Sequence, residues 1–350
     1  MKNFSLIFFI TLLFFFIFNL LIVLTWPIYS KFNLQKHSYI QAQIELLNLS
    51  NNDLIILNNE MWKNYDKFRF VPFTGHSETR RSGKFLNFDE NDGRKVNRPK
   101  KCDYNVFLYG GSTTFGYNVT DEQTIAQYLQ ELLPNNHCVF NHGRAYYYSK
   151  QENNLLINHI EEGKKINSAF FLDGINERCG GYEYMKHLNN SFFLLVERPY
   201  LMWKISLKNF LLTLPVVQFT NSLFGSNRWI QDASNNILKI DSCEKKIDLG
   251  KLYESRISIR DSICKQLEIK CYSILQPMAG SHGVQIRELL SENYENMLKK
   301  KYKKLSSAKS YIDLGYIFEN DKVLSYIDGV HYSPASNKKI ATELYNKYLK

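Results

Sequence analysis

Four short blocks hold the side chains that could do chemistry. "YGGST" presents Ser112 behind two glycines, "NHGRAYYYS" begins at Asn141, "DGINE" contains Asn176, and "DGVH" places Asp328 three residues before His331. A serine becomes a nucleophile when a base takes its proton, another group orients that base, and donors stabilise the oxyanion formed in acyl transfer. Asp328 and His331 supply the orienter and the base. Asn176 supplies a side-chain amide, and the backbone N–H groups of Ser112 and of the loop after Asn141 supply further donors. Each block alone has a plainer reading: His331 as a hydrogen-bonded structural histidine, Asp328 and Asn176 as turn residues. Judged together by the roles they can fill, they predict a catalytic set. Tyr146, Tyr147 and Tyr148 either line a sugar or acyl pocket or pack the start of a helix. Glu177 has no second carboxylate for glycosidase chemistry and reads as a surface or structural residue.

Such residues need a scaffold that gathers distant segments at one edge. From Tyr104 onward, apolar runs alternate with amphipathic ones, the signature of βαβ units and a parallel sheet. Strands are expected at Asn105 to Tyr109, Cys138 to Asn141, Ser168 to Leu172, Ile269 to Leu275 and Ser310 to Leu314. Helices are expected at "DEQTIAQYLQELL" with Asp121 as its acidic cap, and at Ser149 to Gly163, Leu252 to Leu267, Val284 to Lys304 and Ser336 to Lys350. The fold class is therefore α/β, with functional residues beyond the carboxyl ends of the strands. Residues 179–242 break the rhythm and read as an insertion capping the site. Residues 30–101 read as a stalk and extended lead-in: Gln35 to Trp62 as a stalk or packing arm, and the turn-rich segment Tyr65 to Lys101 as an extended lead-in laid across the main domain.

The apolar run Phe4 to Thr25 has the length of a bilayer span, about 20 residues. Trp26, Pro27, Ile28 and Tyr29 follow it in place of a small-residue cleavage site, so it reads as an uncleaved transmembrane anchor over 1–29. The expectation is a single-pass membrane protein with its main domain, 102–350, outside the cytoplasm, periplasmic or at the cell surface. The net charge of +10 is spread diffusely and accompanies no nucleic-acid motif, so no nucleic-acid partner is expected. The six cysteines have no metal-ligand spacing, and neither metal nor cofactor is expected. Cys102 and Cys138 each precede a strand and could meet as a disulfide if those strands are neighbours; free buried thiols are the equal alternative.

With these blocks in this order, the chain resembles the SGNH hydrolases, the GDSL-like esterase superfamily. The resemblance runs from about Asn105 to the end, apart from the insertion. It implies a three-layer α/β/α fold with a central parallel five-stranded sheet of flavodoxin-like kind. It also implies Ser112 as nucleophile, His331 as base, Asp328 as its orienter, and an oxyanion hole from Ser112 N–H, Asn176 and a second-block glycine. Counting from Asn141, that glycine falls at Tyr146, with Ala145 beside it and Gly143 nearby. The aspartate usual before the serine is Gly111 here. The implied activity is hydrolysis of a small ester or acylated glycan, such as an O-acetyl group on a cell-surface glycan. O-acyl transfer to a glycan and a non-catalytic glycan-binding role stay open.

Overall fold

The computed structural model describes residues 10–11, 13–22, 24, 38–62, 68–178, 247–281 and 292–350. The chain divides into two units, Met1–Gln41 with Tyr182–Asp241 and Ala42–Gly181 with Ser242–Lys350. In the first, residues 10–11, 13–22 and 24 are helical, and Leu13, Phe14 and Phe16 are 59%, 68% and 65% exposed. Among the described residues no helix is long and apolar enough to cross a membrane; the rest of the expected span, and all of the expected insertion, lie outside them.

The second unit opens with helix α1 (Ser38–Leu47) running into it and α2 (Asn51–Trp62), whose Leu54, Leu57 and Met61 share one buried face. An antiparallel hairpin follows, β1 (Phe68–Val71) with β2 (Gly75–Glu78). The extended lead-in expected here is thus partly a hairpin. The remaining strands are β3 (Tyr104–Gly110), β4 (His137–Gly143), β5 (Ser168–Asp173), β6 (Lys270–Leu275) and β7 (Ile312–Asp313). They form one five-stranded sheet of order β4-β3-β5-β6-β7, parallel throughout. Alternation along β3 explains its two faces, since successive strand side chains point opposite ways. Val106 and Leu108 enter a core with Ile125, Leu129, Ile340 and Leu344. Phe107 and Tyr109 enter another with Leu155, Leu156 and Cys264. Helices α3 (Ile125–Leu132) and α7 (Pro334–Leu344) therefore cover one face, and α4 (Ser149–Glu161) and α5 (Leu249–Gln266) the other, giving three layers. Helix α6 (Glu292–Leu305) adds Leu298 to the first face; the expected start of this helix at 284–291 lies outside the described residues.

Asp121 does not cap α3. Thr124 does, its hydroxyl accepting from Gln127 N at 3.1 Å. The Asp121 carboxylate instead accepts from Arg94 Nε at 2.9 Å, with the arginine side chain fully buried. Arg94 also donates to the carbonyls of Phe115, Gly116 and Val119. This ties the lead-in to the turn after β3. Of the alternatives open for Cys102 and Cys138 the structure has the disulfide, which β3–β4 pairing permits; a second joins Cys264 to Cys271.

Candidate active site

The strand order reverses between β3 and β5, because β3 is flanked by β4 on one side and β5 on the other. At such a switch point the connections leave to opposite faces and open a crevice beyond the strand ends. Ser112 follows β3 and Asn176 follows β5, so both stand at that crevice. Ser112 begins a single helical turn, Ser112–Phe115. A Cβ on Gly111 would lie 2.5 Å from Asn176 Nδ2, so a side chain here would displace that amide. A Cβ on Gly143 would lie 2.2 Å from Phe115 N, so this glycine lets β4 pack against the serine turn. Asn141 secures the same junction, its amide donating to Thr114 O at 3.0 Å.

Asp328 and His331 lie across this turn. His331 is 7% exposed, and its Nδ1 is 2.7 Å from Asp328 Oδ2. Asp328 Oδ1 accepts the backbone N–H groups of Val330 and His331, both at 2.7 Å. Its Oδ2 also accepts from Asn118 Nδ2 at 2.6 Å. Burial disfavours the Asp328 charge, but the facing His331, its hydrogen bond and the two backbone donors outweigh that and hold the carboxyl below its ordinary range. Because Nδ1 faces the carboxylate, Nε2 is the free end of the ring, and it has no hydrogen-bond partner among the described residues. Tyr117 links the ring to the serine turn: its N–H donates to Ser112 O at 3.1 Å, and its ring stacks on His331 at 5.7 Å. Ser112 Oγ and Nε2 thus share no hydrogen bond here, and such bonds commonly tighten only with substrate bound.

The donor side is built from the loop after β4. Asn176 Nδ2 donates one hydrogen to Tyr147 O at 3.0 Å; an amide nitrogen carries two. Tyr146 adopts φ 64°, the left-handed conformation that glycine takes freely. A tyrosine therefore holds a backbone conformation suited to glycine, at roughly 1–2 kcal/mol. Its carbonyl accepts from Arg178 at 3.0 Å. Tyr147 and Tyr148 are buried, whereas Tyr146 is 41% exposed. Glu177 is buried and structural: it accepts Ser149 N at 2.6 Å and pairs with Arg256 at 2.9 Å.

Four residues at this site escape a reading of the motifs. Asn118, at φ 64°, accepts Trp62 Nε1 at 2.6 Å while it donates to Asp328. The Trp62 indole meets His331 edge-on at 6.2 Å. His76 and Glu78 on β2 grip Ala145, with His76 Nε2 2.8 Å from its carbonyl and Glu78 Oε1 accepting its N–H at 2.6 Å. Burial lowers His76 to about 4 and raises Glu78, the latter against the opposing pull of Arg144. An asparagine two residues after a glycine, a type that tolerates the left-handed conformation, is a usable signal for Asn118; the reach of the others is a tertiary fact.

No family model and no curated protein matches the chain. Among solved structures it is similar to a carbohydrate acetylesterase family member from Sinorhizobium meliloti, at 12% identity and TM-score 0.36, covering 69% of this chain and 96% of that one. It is similar to a member of the lipolytic protein G-D-S-L family from Veillonella parvula at 9% and 0.37, covering 71% and 99%. The aryl esterase of M. smegmatis gives 12% and 0.37, covering 70% and 97%. Likeness at these values carries nothing about activity, which has to come from the site.

Proposed function

We propose that this chain is a serine esterase of the SGNH type that hydrolyses a small ester through an acyl-enzyme. The observation carrying the proposal is the Asp328–His331 pair: a carboxylate holding four hydrogen bonds and an imidazole whose buried Nε2 is left for a proton. His331 Nε2 takes the proton of Ser112 Oγ as Oγ bonds to the ester carbonyl carbon. The Ser112 N–H, the second amide hydrogen of Asn176 and the Tyr146 N–H receive the oxyanion. Collapse breaks the bond to the alcohol, which leaves with the proton from His331. Water then gives its proton to His331 and attacks the acyl-enzyme; the acid departs and Ser112 regains its proton. Asp328 stabilises the imidazolium in both steps.

The proposed substrate is an O-acetyl group on a cell-surface glycan. Trp62 beside His331 and Tyr146 on the donor loop, 39% and 41% exposed, support it as aromatic faces for a sugar ring. The proposed location is outside the cytoplasm, with residues 4–25 as a single-pass anchor. That apolar run supports it, as do the two disulfides, a bond that persists in oxidising compartments. The test is labelling of the full chain by a fluorophosphonate together with hydrolysis of p-nitrophenyl acetate. Labelling is expected at Ser112, and Ser112→Ala should lose it and lower kcat by on the order of 10⁴-fold or more. Folded protein that neither labels nor hydrolyses any short-chain ester would sink the proposal. Acyl product on an added glycan acceptor, in place of free acid, would make the enzyme an O-acyltransferase.

A further inference from the structure

Of the oxyanion donors, Tyr146 N–H alone belongs to a residue whose family counterpart is a glycine, so its direction needs an external cause. The hairpin supplies one. A trans peptide is planar, with its C=O and N–H pointing opposite ways, and no cis peptide occurs among the described residues. Whatever fixes the Ala145 carbonyl therefore fixes the Tyr146 N–H. That carbonyl lies 2.8 Å from His76 Nε2. A carbonyl oxygen only accepts, so Nε2 carries the proton. His76 Nδ1 is buried with no hydrogen-bond partner among the described residues, as fits a neutral ring with its single proton on Nε2.

The grip is two-sided. Residues 76 and 78 are two apart on one strand and so project from the same face. Together they hold both ends of Ala145, since Glu78 accepts its N–H. The Tyr147 hydroxyl donates to His76 O, returning the loop's hold on the hairpin. Phe68, from the other hairpin strand, packs on His76 at 5.2 Å and on the Tyr146 ring at 6.3 Å. The hairpin thus spends two buried polar side chains on one residue of a loop at the mouth of the crevice.

We propose that His76 is a positioning residue for the oxyanion hole: its Nε2–H holds the Ala145 carbonyl and thereby aims the Tyr146 N–H at the ester oxygen, with Glu78 anchoring the other end of Ala145. This rests on the esterase reading above. Removing the hold frees the peptide between Ala145 and Tyr146 to turn without touching Ser112, Asp328 or His331.

The experiment compares wild type, His76→Leu and His76→Gln as full chains. Turnover of p-nitrophenyl acetate is normalised to Ser112 labelled by a fluorophosphonate, and affinity for a trifluoromethyl ketone is measured in parallel. His76→Leu should lose about 10²-fold in kcat with KM within about twofold, as a misdirected donor acts on the transition state. Ketone affinity should fall alongside kcat. His76→Gln keeps a side-chain N–H and should recover a large part of the loss, which a merely structural role does not explain. Wild-type kcat in the folded leucine variant, a loss confined to KM, or a glutamine variant as poor as leucine overturns the positioning role while leaving the esterase intact. If the leucine variant does not fold, His76→Asn, which shortens the donor, should show the same loss in kcat alone, and unchanged kcat there overturns the role. Wild-type protein that neither labels nor turns over overturns the esterase reading itself, and this inference with it.

Discussion

The two sides of the crevice are held by different means. On the base side, Asp328 gathers the N–H groups of Val330 and His331 and the His331 ring from its own short loop, and takes one outside donor, Asn118. On the donor side, the loop from Gly143 to Ser149 is held from elsewhere: by Glu78 and His76 on the hairpin, Asn176 and Glu177 after β5, and Arg178. A local turn carries its geometry wherever the chain folds, whereas a loop held by remote side chains depends on the whole domain. The base side should therefore respond to changes in its own few residues, and the donor side to changes in segments far from it in sequence.

The largest effect that can break this contrast is on the base side. Asp328→Asn keeps the shape but removes the charge facing His331, and kcat should fall by on the order of 10³–10⁴-fold with KM little changed. Asn176→Ala removes one of the proposed oxyanion donors and should cost roughly 10²–10³-fold in kcat. It also frees the Tyr147 carbonyl, so hydrogen exchange of residues 144–148 should rise with the kinetic loss. Rise in exchange at 325–333 instead would mean that the two sides are not separately held.

A smaller effect sharpens the base side. Asn118→Ala removes the outside donor to Asp328 and should lower kcat about tenfold, the scale of one hydrogen bond to a charged group. The aspartate's local N–H groups remain, so the loss should stay well short of that in Asp328→Asn. Equal losses in steady-state kinetics would show that the local turn does not hold its own geometry.

The same contrast explains what a reader of the sequence could recover. The parallel sheet was legible because its strands are apolar runs between amphipathic helices, and Ser112, Asn176, Asp328 and His331 were legible because each follows a strand or precedes a helix at short spacing. The second-block position could be counted to Tyr146, but not its conformation, since nothing in "RAYYY" announces a left-handed tyrosine. His76, Glu78 and Trp62 were illegible for a different reason. Their roles are contacts to Ala145 and Asn118 across 69, 67 and 56 residues of sequence. The hairpin itself hid in a segment whose alternation runs for only four residues per strand. Asp121 misled because an acidic residue before a helix reads as a cap unless its arginine is known.

Acid gives the gentlest way to separate the two sides. His76 is held neutral by burial, its pKa lowered to about 4, and His142 on β4 and His159 on α4, buried side by side, are shifted well down by burial, His142 also by the neighbouring His159 and His159 also by Lys164. The unfolded chain takes up these protons near pH 6.5 while the folded protein does not, so stability tied to these groups is full above about pH 6.5 and falls as pH drops towards 4. For His76 the far end of that window corresponds to roughly 3 kcal/mol. Asp328 behaves otherwise. Its lowered carboxyl contributes stability that is full above about pH 4, the unfolded carboxyl value, and is lost only as pH falls through the lower folded one. Hydrogen exchange compared at pH 7.5 and 5, corrected for intrinsic rates, should therefore show the hairpin and residues 137–149 loosening at pH 5 while 325–333 hold. His142→Phe should reduce that loosening and raise Tm, because the ring lies among Phe107, Tyr109 and Phe140 and neither of its nitrogens has a hydrogen-bond partner among the described residues. Equal loosening of both segments at pH 5 would mean that the buried histidines support the domain as a whole and that the donor side has no acid sensitivity of its own.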